Sequence, residues 1–504
     1  MKAVPPTDTP HVVLINNAHI ENFSVRHLGA YLTSRGFRVS VIHYESRKEA
    51  VFEPMPSPAL EMLADFCKDA DLVGITLLTT HLLPRCRQIT RYLKDRITAP
   101  VIWGGPPVIA DPIQFLDDTD LVCAGEGETV MEQLLEGMPV DQIPGLGYVG
   151  PDGCAVVNDL PPMLDVNDLP IPRIDLENGY VLTDSGLVPM KDTIPATLST
   201  YSVLLVQGCP YGCAYCLNSR LKQVFERKGP YVRNIDVDRV IEELVWAKSH
   251  IPQLRRIIID DDDFFLNSEG RMTRFLDRYM KEIRLPVFYI QANTRQITEA
   301  KLDILVNSGL DLRYLKIGLQ SGSQRISKEI FHRPLDWRTY LKKLEMVMQR
   351  GIRVMIDVIS DNPYDTVADK HAVLRFYLEL LKRIPDPPIE RPVKIYDHKL
   401  MYYPGTPLYE KVLKDGHIRD DYVDQVLLKR STLRLHQEDR DHDALMVSWF
   451  NTAANRKPFH RTAHMLLRIL AVPPVFRASV RYRLAKVLNR LSRIPAVAGL
   501  LDKT

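Results

Sequence analysis

Gly208-Cys209-Pro210-Tyr211-Gly212-Cys213-Ala214-Tyr215-Cys216 sets three cysteines at i, i+4 and i+7. Pro210 and Gly212 work against a regular helix, so the stretch reads as a loop wrapping three thiols about one centre. Three soft thiolates on a tight loop suit an iron–sulfur cluster. A four-iron cubane held by three cysteines keeps one iron without a protein ligand, open to an exchangeable one. Zinc would want a fourth ligand, and no His or Cys follows within about thirty residues. A disulfide loop would want a secretory context. Met1 to Pro10 carries one lysine and three prolines and no apolar core, so no signal peptide is expected.

The rest of the composition is ordinary for a globular chain. Its 504 residues leave room for about two to four domains. Hydrophobic residues make up 45% and charged residues 25%, and the net charge of +2 gives no global pull toward nucleic acid. Of the seven cysteines, four lie outside the loop. Cys67, Cys86 and Cys123 fall in element-like segments and read as small buried apolar residues, while Cys154 sits among turn residues. No apolar run reaches about eighteen residues, so no spanning helix is expected. A reducing cytoplasm would suit an oxygen-sensitive cluster.

Residues 11–140 alternate short apolar runs with helical spacing. Val12–Ile15, Phe37–His43, Leu72–Leu78, Val101–Trp103 and Leu121–Ala124 read as strands. Arg26–Arg35, Glu61–Lys68 and Leu82–Leu93 read as helices. The pattern predicts a parallel Rossmann-like sheet with ligands beyond its strand ends, where Gly104-Gly105 and Gly125-Glu126-Gly127-Glu128 stand. Residues 146–199 are rich in Pro, Asp and Gly and read as a linker. After residue 200, six strand–helix units predict a partial barrel, beginning with a strand over Val203–Val206. Asp238 is a plausible N-cap for a helix to Ser249, with Glu242, Glu243 and Lys248 outward. Arg256–Ile259 ends in Asp260-Asp261-Asp262-Asp263, four carboxylates that repel one another unless donors or cations face them.

The cysteine spacing, with Tyr215 before the last thiol, resembles that of the radical S-adenosylmethionine (SAM) enzymes. Gly104-Gly105 and Gly125–Glu128 ahead of it, then Asp168-Leu169-Pro170-Ile171-Pro172, are similar to the branch that carries a cobalamin-binding domain. The resemblance covers about residues 10–410. It implies an N-terminal cobalamin domain (1–145), a linker (146–199), a partial (β/α)6 radical SAM barrel (200–410) and a helical C-terminal region (411–504). It implies a 4Fe-4S cluster on Cys209, Cys213 and Cys216. SAM would be held by Tyr215, Asp260, Asp262, Gln320 and Ser321, and cobalamin by Thr76, Gly104, Gly105, Gly125, Glu126 and Gly127. Which of the four aspartates faces SAM depends on strand register. Many cobalamin domains place Asp-x-His-x-x-Gly after the first strand; here Asn17-Ala18-His19-Ile20-Glu21-Asn22 keeps only the histidine. A lone loop histidine is more often solvated than a ligand. His19, or His81 after the third strand, could bind cobalt from below. This branch commonly lacks that histidine and still binds cobalamin, so the resemblance leaves the lower ligand unassigned. Gln320 stands where the family more often has Glu; a neutral amide still bonds a ribose hydroxyl.

The implied activity is reductive SAM cleavage to a 5′-deoxyadenosyl radical, then methyl transfer from methylcobalamin to an unactivated carbon of a small-molecule, lipid or peptide substrate. An external flavodoxin or ferredoxin would supply electrons. Radical cyclisation or oxidation without methyl transfer, and a metal-binding scaffold at a membrane surface, are the rival readings. The latter draws on the tail. From Lys457 to Leu501 there is no acidic residue, and ten Lys or Arg fall between Arg456 and Arg493. His464–Leu470 and Arg477–Leu491 space their apolar residues helically, as a peripheral membrane contact would.

Overall fold

Runs such as His11–Asn16, buried at every position, lack the in–out alternation of a half-exposed strand, so they need cover on both faces. The computed structural model describes residues 9–18, 20, 22–44, 54–385, 392–419, 437–455 and 460–476. Contacts divide the chain into two units. The first takes residues 1–211, 216–256 and 403–433; the second takes 212–215, 257–402 and 434–504.

The first unit opens with β1 (His11–Asn16), α1 (Phe23–Ser34), β2 (Arg38–Tyr44), α2 (Ser57–Phe66), β3 (Leu72–Thr76) and α3 (Leu83–Lys94). It continues through β4 (Val101–Gly104), α4 (Pro106–Ala110), β5 (Leu121–Cys123) and α5 (Gly127–Leu135). Then come β6 (Leu146–Val149), β7 (Ala155–Val157), β8 (Gly179–Leu182), β9 (Leu187–Pro189) and α6 (Met190–Thr197). β10 (Thr200–Val203), β11 (Val206–Gln207), α7 (Leu217–Val224), β12 (Arg233–Asn234) and α8 (Val237–His250) complete that run.

Nine strands form one sheet in the order β7-β6-β5-β4-β3-β1-β2-β8-β9. The parallel centre is the expected one, with β1 between β2 and β3 and then β4 and β5. At the edges β6, β7 and β9 extend it antiparallel. One expectation is corrected: residues 146–199, read as a linker with little regular structure, supply both flanks of the sheet. Their prolines and glycines bound strands of three or four residues, too short to show a period. The β1–α1 turn uses the residues that departed from the cobalamin signature. Asn22 caps α1 at Ser24 N, and Asn17 Nδ2 donates to Cys86 Sγ at 3.0 Å. His19 lies outside the described residues.

The strand expected over Val203–Val206 is two pieces, because Val206–Gln207 turns to pair antiparallel with β12. Asp236, not Asp238, takes the cap position of α8. Glu243 is buried rather than outward, being only 6% exposed. Arg26 reaches it from α1, pairing with its carboxylate and donating to Tyr201 Oη, Pro172 O (2.9 Å) and Ser202 O (3.1 Å). A buried charge persists only with such partners.

The second unit alternates β13 (Arg256–Ile259), α9 (Glu269–Glu282), β14 (Val287–Ala292), α10 (Glu299–Asn307), β15 (Leu312–Gln320), α11 (Trp337–Gln349), β16 (Val354–Ser360), α12 (Val367–Leu381) and β17 (Val393–Lys399). α13 (Pro407–Lys414) returns to the first unit, and α14 (Gln437–Ala454) and α15 (His460–Leu470) close the second. From β13 to β17 every neighbouring pair is parallel and in chain order. Counting β10 of the first unit, the alternation after residue 200 has six strands. The alternate residues Leu315, Ile317 and Leu319 are buried, whereas Lys316, Gly318 and Gln320 are only half-buried. One sheet face is therefore apolar and the other polar. Of the C-terminal helices, α15 buries Ala463, Leu467 and Leu470 and exposes Met465 and Ile469. The expected helix over Arg477–Leu491 lies outside the described residues. Among the described residues no helix is long and apolar enough to cross a membrane.

Candidate functional site

The cysteine loop is built on backbone that its sequence permits. Gly208 has φ +91°, and a Cβ there would sit 2.2 Å from Tyr231 O, so only glycine fits. Cys216 occupies the N-cap position of α7, and its carbonyl accepts from Ser219 N and Oγ at 3.0 and 2.7 Å. The positive end of the helix therefore stands beside this thiol. Lys222 Nζ donates to Pro210 O at 2.8 Å, and Arg220 Nε to Ala110 O at 3.0 Å, tying α7 to the end of α4. Burial first, and then the Cys216 thiol, holds the Tyr403 phenol above its usual value.

Cys213 is buried in the second unit. Ala214 N donates to Phe331 O at 2.9 Å, and the Tyr215 and Phe331 rings meet edge to face at 5.1 Å. Arg333 Nη1 lies 3.6 Å from Cys213 Sγ. The donor set, thiols with a helix N-terminus on one and a guanidinium on another, fits an anionic metal–sulfur cluster. Among the described residues no three His, Cys, Asp or Glu side chains converge as ligands of one ion would. Cys209, Cys213 and Cys216 would hold a cluster of several irons rather than a single ion.

The acidic run resolves by alternation. Asp261 and Asp263 are buried, Asp260 half-buried and Asp262 exposed. Asp263 accepts from Phe265 N and Asn293 N, a structural task. Asp260 Oδ1 accepts from Tyr289 Oη at 2.9 Å and from Gln291 Nε2 at 3.4 Å. β15 carries a register shift between Gly318 and Gln320, and Gln320 has φ +67°. Such a bulge re-aims a side chain at a strand end. Ser321 is buried, and its Oγ accepts from Ser323 N at 3.1 Å.

Sequence patterning missed the polar row on the same sheet face. Lys316 Nζ lies 3.3 Å from Asp357 Oδ2 and 5.2 Å from the Tyr289 ring centroid, and His398 Nε2 lies 2.9 Å from Asp357 Oδ1. Charged residues set within apolar strands, Lys316 in β15 and Asp357 in β16, are the signal that could have found it. Arg333 had none, because it follows a π-helical turn, Ile326–Ile330, and His332 at φ +49°.

In the first unit, Thr76 ends β3, Gly104 ends β4 and Gly125 follows β5, so three adjacent parallel strands finish together. Gly105 has φ +110°, and a Cβ would stand 2.4 Å from Leu77 O. Gly127 opens α5. Glu126 is committed to the protein: Arg233 Nη1 lies 2.6 Å from one carboxylate oxygen and Leu164 N donates to the other at 2.7 Å. Its side chain braces the loop. Strand ends of small residues with a helix N-terminus beside them suit a phosphate-bearing cofactor such as cobalamin. His81 stands in the turn Thr80–Leu82 beyond β3.

Burial first, and then Glu126, raises the Glu128 carboxyl to about 7. The folded value lies above the unfolded one, so its contribution to stability is complete below about pH 4.5 and is lost as pH rises through about 7. Glu128→Gln should therefore raise the melting temperature at pH 8 and leave it near wild type at pH 5. Equal shifts at both pH values would contradict this.

Residues 203–376 match the model of the Radical SAM superfamily, and residues 17–135 match that of the B12 binding domain. The chain therefore joins a B12-binding domain to a radical SAM domain. Among solved structures it is similar to the radical S-adenosylmethionine methyltransferase TsrM from Kitasatospora setae, solved with cobalamin and a 4Fe-4S cluster bound. The identity is 17% over 81% of this chain and 78% of that one, with a TM-score of 0.63. It is also similar to the cobalamin-dependent S-adenosylmethionine radical enzyme OxsB with aqua-cobalamin bound, at 14% identity over 97% of this chain and 76% of that one, TM-score 0.66. At these identities the likeness is one of fold. No curated protein matches the sequence.

Proposed function

We propose that this protein is a cobalamin-dependent radical SAM enzyme that methylates an unactivated carbon of a small-molecule substrate. The observation that carries the reading is the presence of both domains in one chain, each with small or ligating residues at its strand ends. When bound, the cluster, SAM and cobalamin supply radical generation and the methyl group. Cys209, Cys213 and Cys216 would hold the cluster. Tyr215 packs against Phe331 and fixes the loop's last turn. Asp260, kept in place by Tyr289 and Gln291, would accept from the SAM ammonium, with exposed Asp262 beside it. Gln320 and Ser321 would meet the ribose hydroxyls. Thr76, Gly104, Gly105, Gly125 and Gly127 would line the cobalamin, with the Glu126 backbone between them. The charged row of Lys316, Asp357 and His398 would orient a polar substrate group. A low-potential donor of the flavodoxin or ferredoxin type would deliver the electron.

The test is anaerobic reconstitution with iron, sulfide and hydroxocobalamin, then reduction with SAM present. The protein should retain the cobalamin absorption through gel filtration and form 5′-deoxyadenosine. Protein that elutes without the cobalt spectrum would end the methyl-transfer reading. 5′-Deoxyadenosine without cobalamin would instead favour cyclisation or oxidation.

A further inference from the structure

We propose that Arg333 is a positioning residue for the iron–sulfur cluster. Its guanidinium donates to the Cys213 thiolate, draws negative charge from it and raises the potential at which the cluster takes up one electron from the external low-potential donor. The inference rests on the reading that the cysteine loop carries a 4Fe-4S cluster.

Three anchors fix the guanidinium relative to the sulfur. Arg333 N donates to Ser327 O at 2.7 Å, which seats its backbone on the turn after β15. Arg333 Nη2 donates to Gly318 O at 2.9 Å, which orients the planar head and leaves Nη1 facing Cys213 Sγ at 3.6 Å. Two residues earlier, Phe331 O receives Ala214 N at 2.9 Å, and its ring packs on Tyr215. The turn and the cysteine loop thus grip each other through backbone, ring and charge together.

Cys213 is 8% exposed, so little water screens the interaction. Arginine stays protonated at any working pH, and its fork holds direction as well as charge. Reducing the cluster by one electron adds negative charge to its sulfurs. A fixed cation bonded to one of them stabilises the reduced state more than the oxidised state, and hydrogen bonds to cluster sulfurs set potential. A merely structural arginine would change cluster content or melting temperature and leave the potential alone.

The test is a redox titration, followed by EPR, of reconstituted wild type, Arg333→Met and Arg333→Lys, with iron and sulfide assayed in each. At the wild-type midpoint, Arg333→Met should show about a tenfold lower ratio of reduced to oxidised cluster, which is a shift of about 59 mV to more negative potential. Arg333→Lys, which keeps the charge and loses the fork, should fall between. Fully loaded Arg333→Met with an unchanged midpoint overturns the proposal. Should Arg333→Met fail to assemble a cluster, the Arg333→Lys midpoint decides: a negative shift supports the proposal and no shift overturns it. Wild type that takes up no iron brings down the cluster reading, and this inference with it.

Discussion

Replacing Cys209, Cys213 and Cys216 by alanine should abolish SAM cleavage and leave reconstituted protein without the brown charge-transfer absorption. The three thiols act as one unit, so their losses should not add. Each single alanine variant should lose about a thousandfold or more of 5′-deoxyadenosine formation, nearly as much as the triple variant. Iron should fall from about four per chain to background in the triple variant. The fold should survive, because the loop's hold on the protein runs through other atoms. Gly208 at φ +91°, Ser219 bonded to the Cys216 carbonyl and Ala214 N on Phe331 O require no thiol. Visible absorption with iron analysis checks the first expectation, and circular dichroism the second. A triple variant that kept the wild-type colour would show that the metal sits elsewhere.

Glu243→Ala should strongly destabilise the first unit. It strips the partner from Arg26, whose side chain is only 4% exposed, and leaves a guanidinium with charge and no counter-charge. Breaking a buried pair from one side costs about 3–5 kcal/mol, against a total domain stability of about 5–15 kcal/mol. Arg26→Ala should cost a similar amount, since Pro172 O, Ser202 O and Tyr201 also lose a donor. The double variant should lose less than the sum, because each single change already breaks the same pair. Urea unfolding of the three variants measures this. A Glu243→Ala protein with a wild-type midpoint, or strictly additive losses, would refute the account of the pair.

What could be read from sequence followed from local causes. Val12–Ile15 and Leu72–Leu78 are apolar runs ended by polar or turn residues, and they became β1 and β3. The cysteine stretch was legible as a loop because Pro210 and Gly212 work against a regular helix, and residues 208–216 form none. Glu243 was not legible. Its spacing on α8 puts it among Glu242 and Lys248, and its burial is explained by Arg26, more than 200 positions away, together with Tyr201. The strands within 146–199 were hidden by the turn residues that bound them. In the acidic run, alternation was visible but its phase was not. Burial of Asp261 and Asp263 turns Asp260 and Asp262 away from the core, and that choice comes from packing of β13. Arg333 depends on a turn far from Cys213 in sequence, so no local pattern announces it. Lys316 and Asp357 stand out as charges within apolar strands, but their pairing with each other and with His398 comes only from strand neighbours.

On the proposed reading, three cysteines hold a cluster whose remaining iron is open to SAM. EPR spectra of the anaerobically reduced protein, recorded before and after SAM is added, test it most directly. A cluster signal whose line shape changes on SAM addition, through ligation at that iron, is the expected result. A signal indifferent to saturating SAM, or no cluster signal from fully loaded, reduced protein, would contradict it.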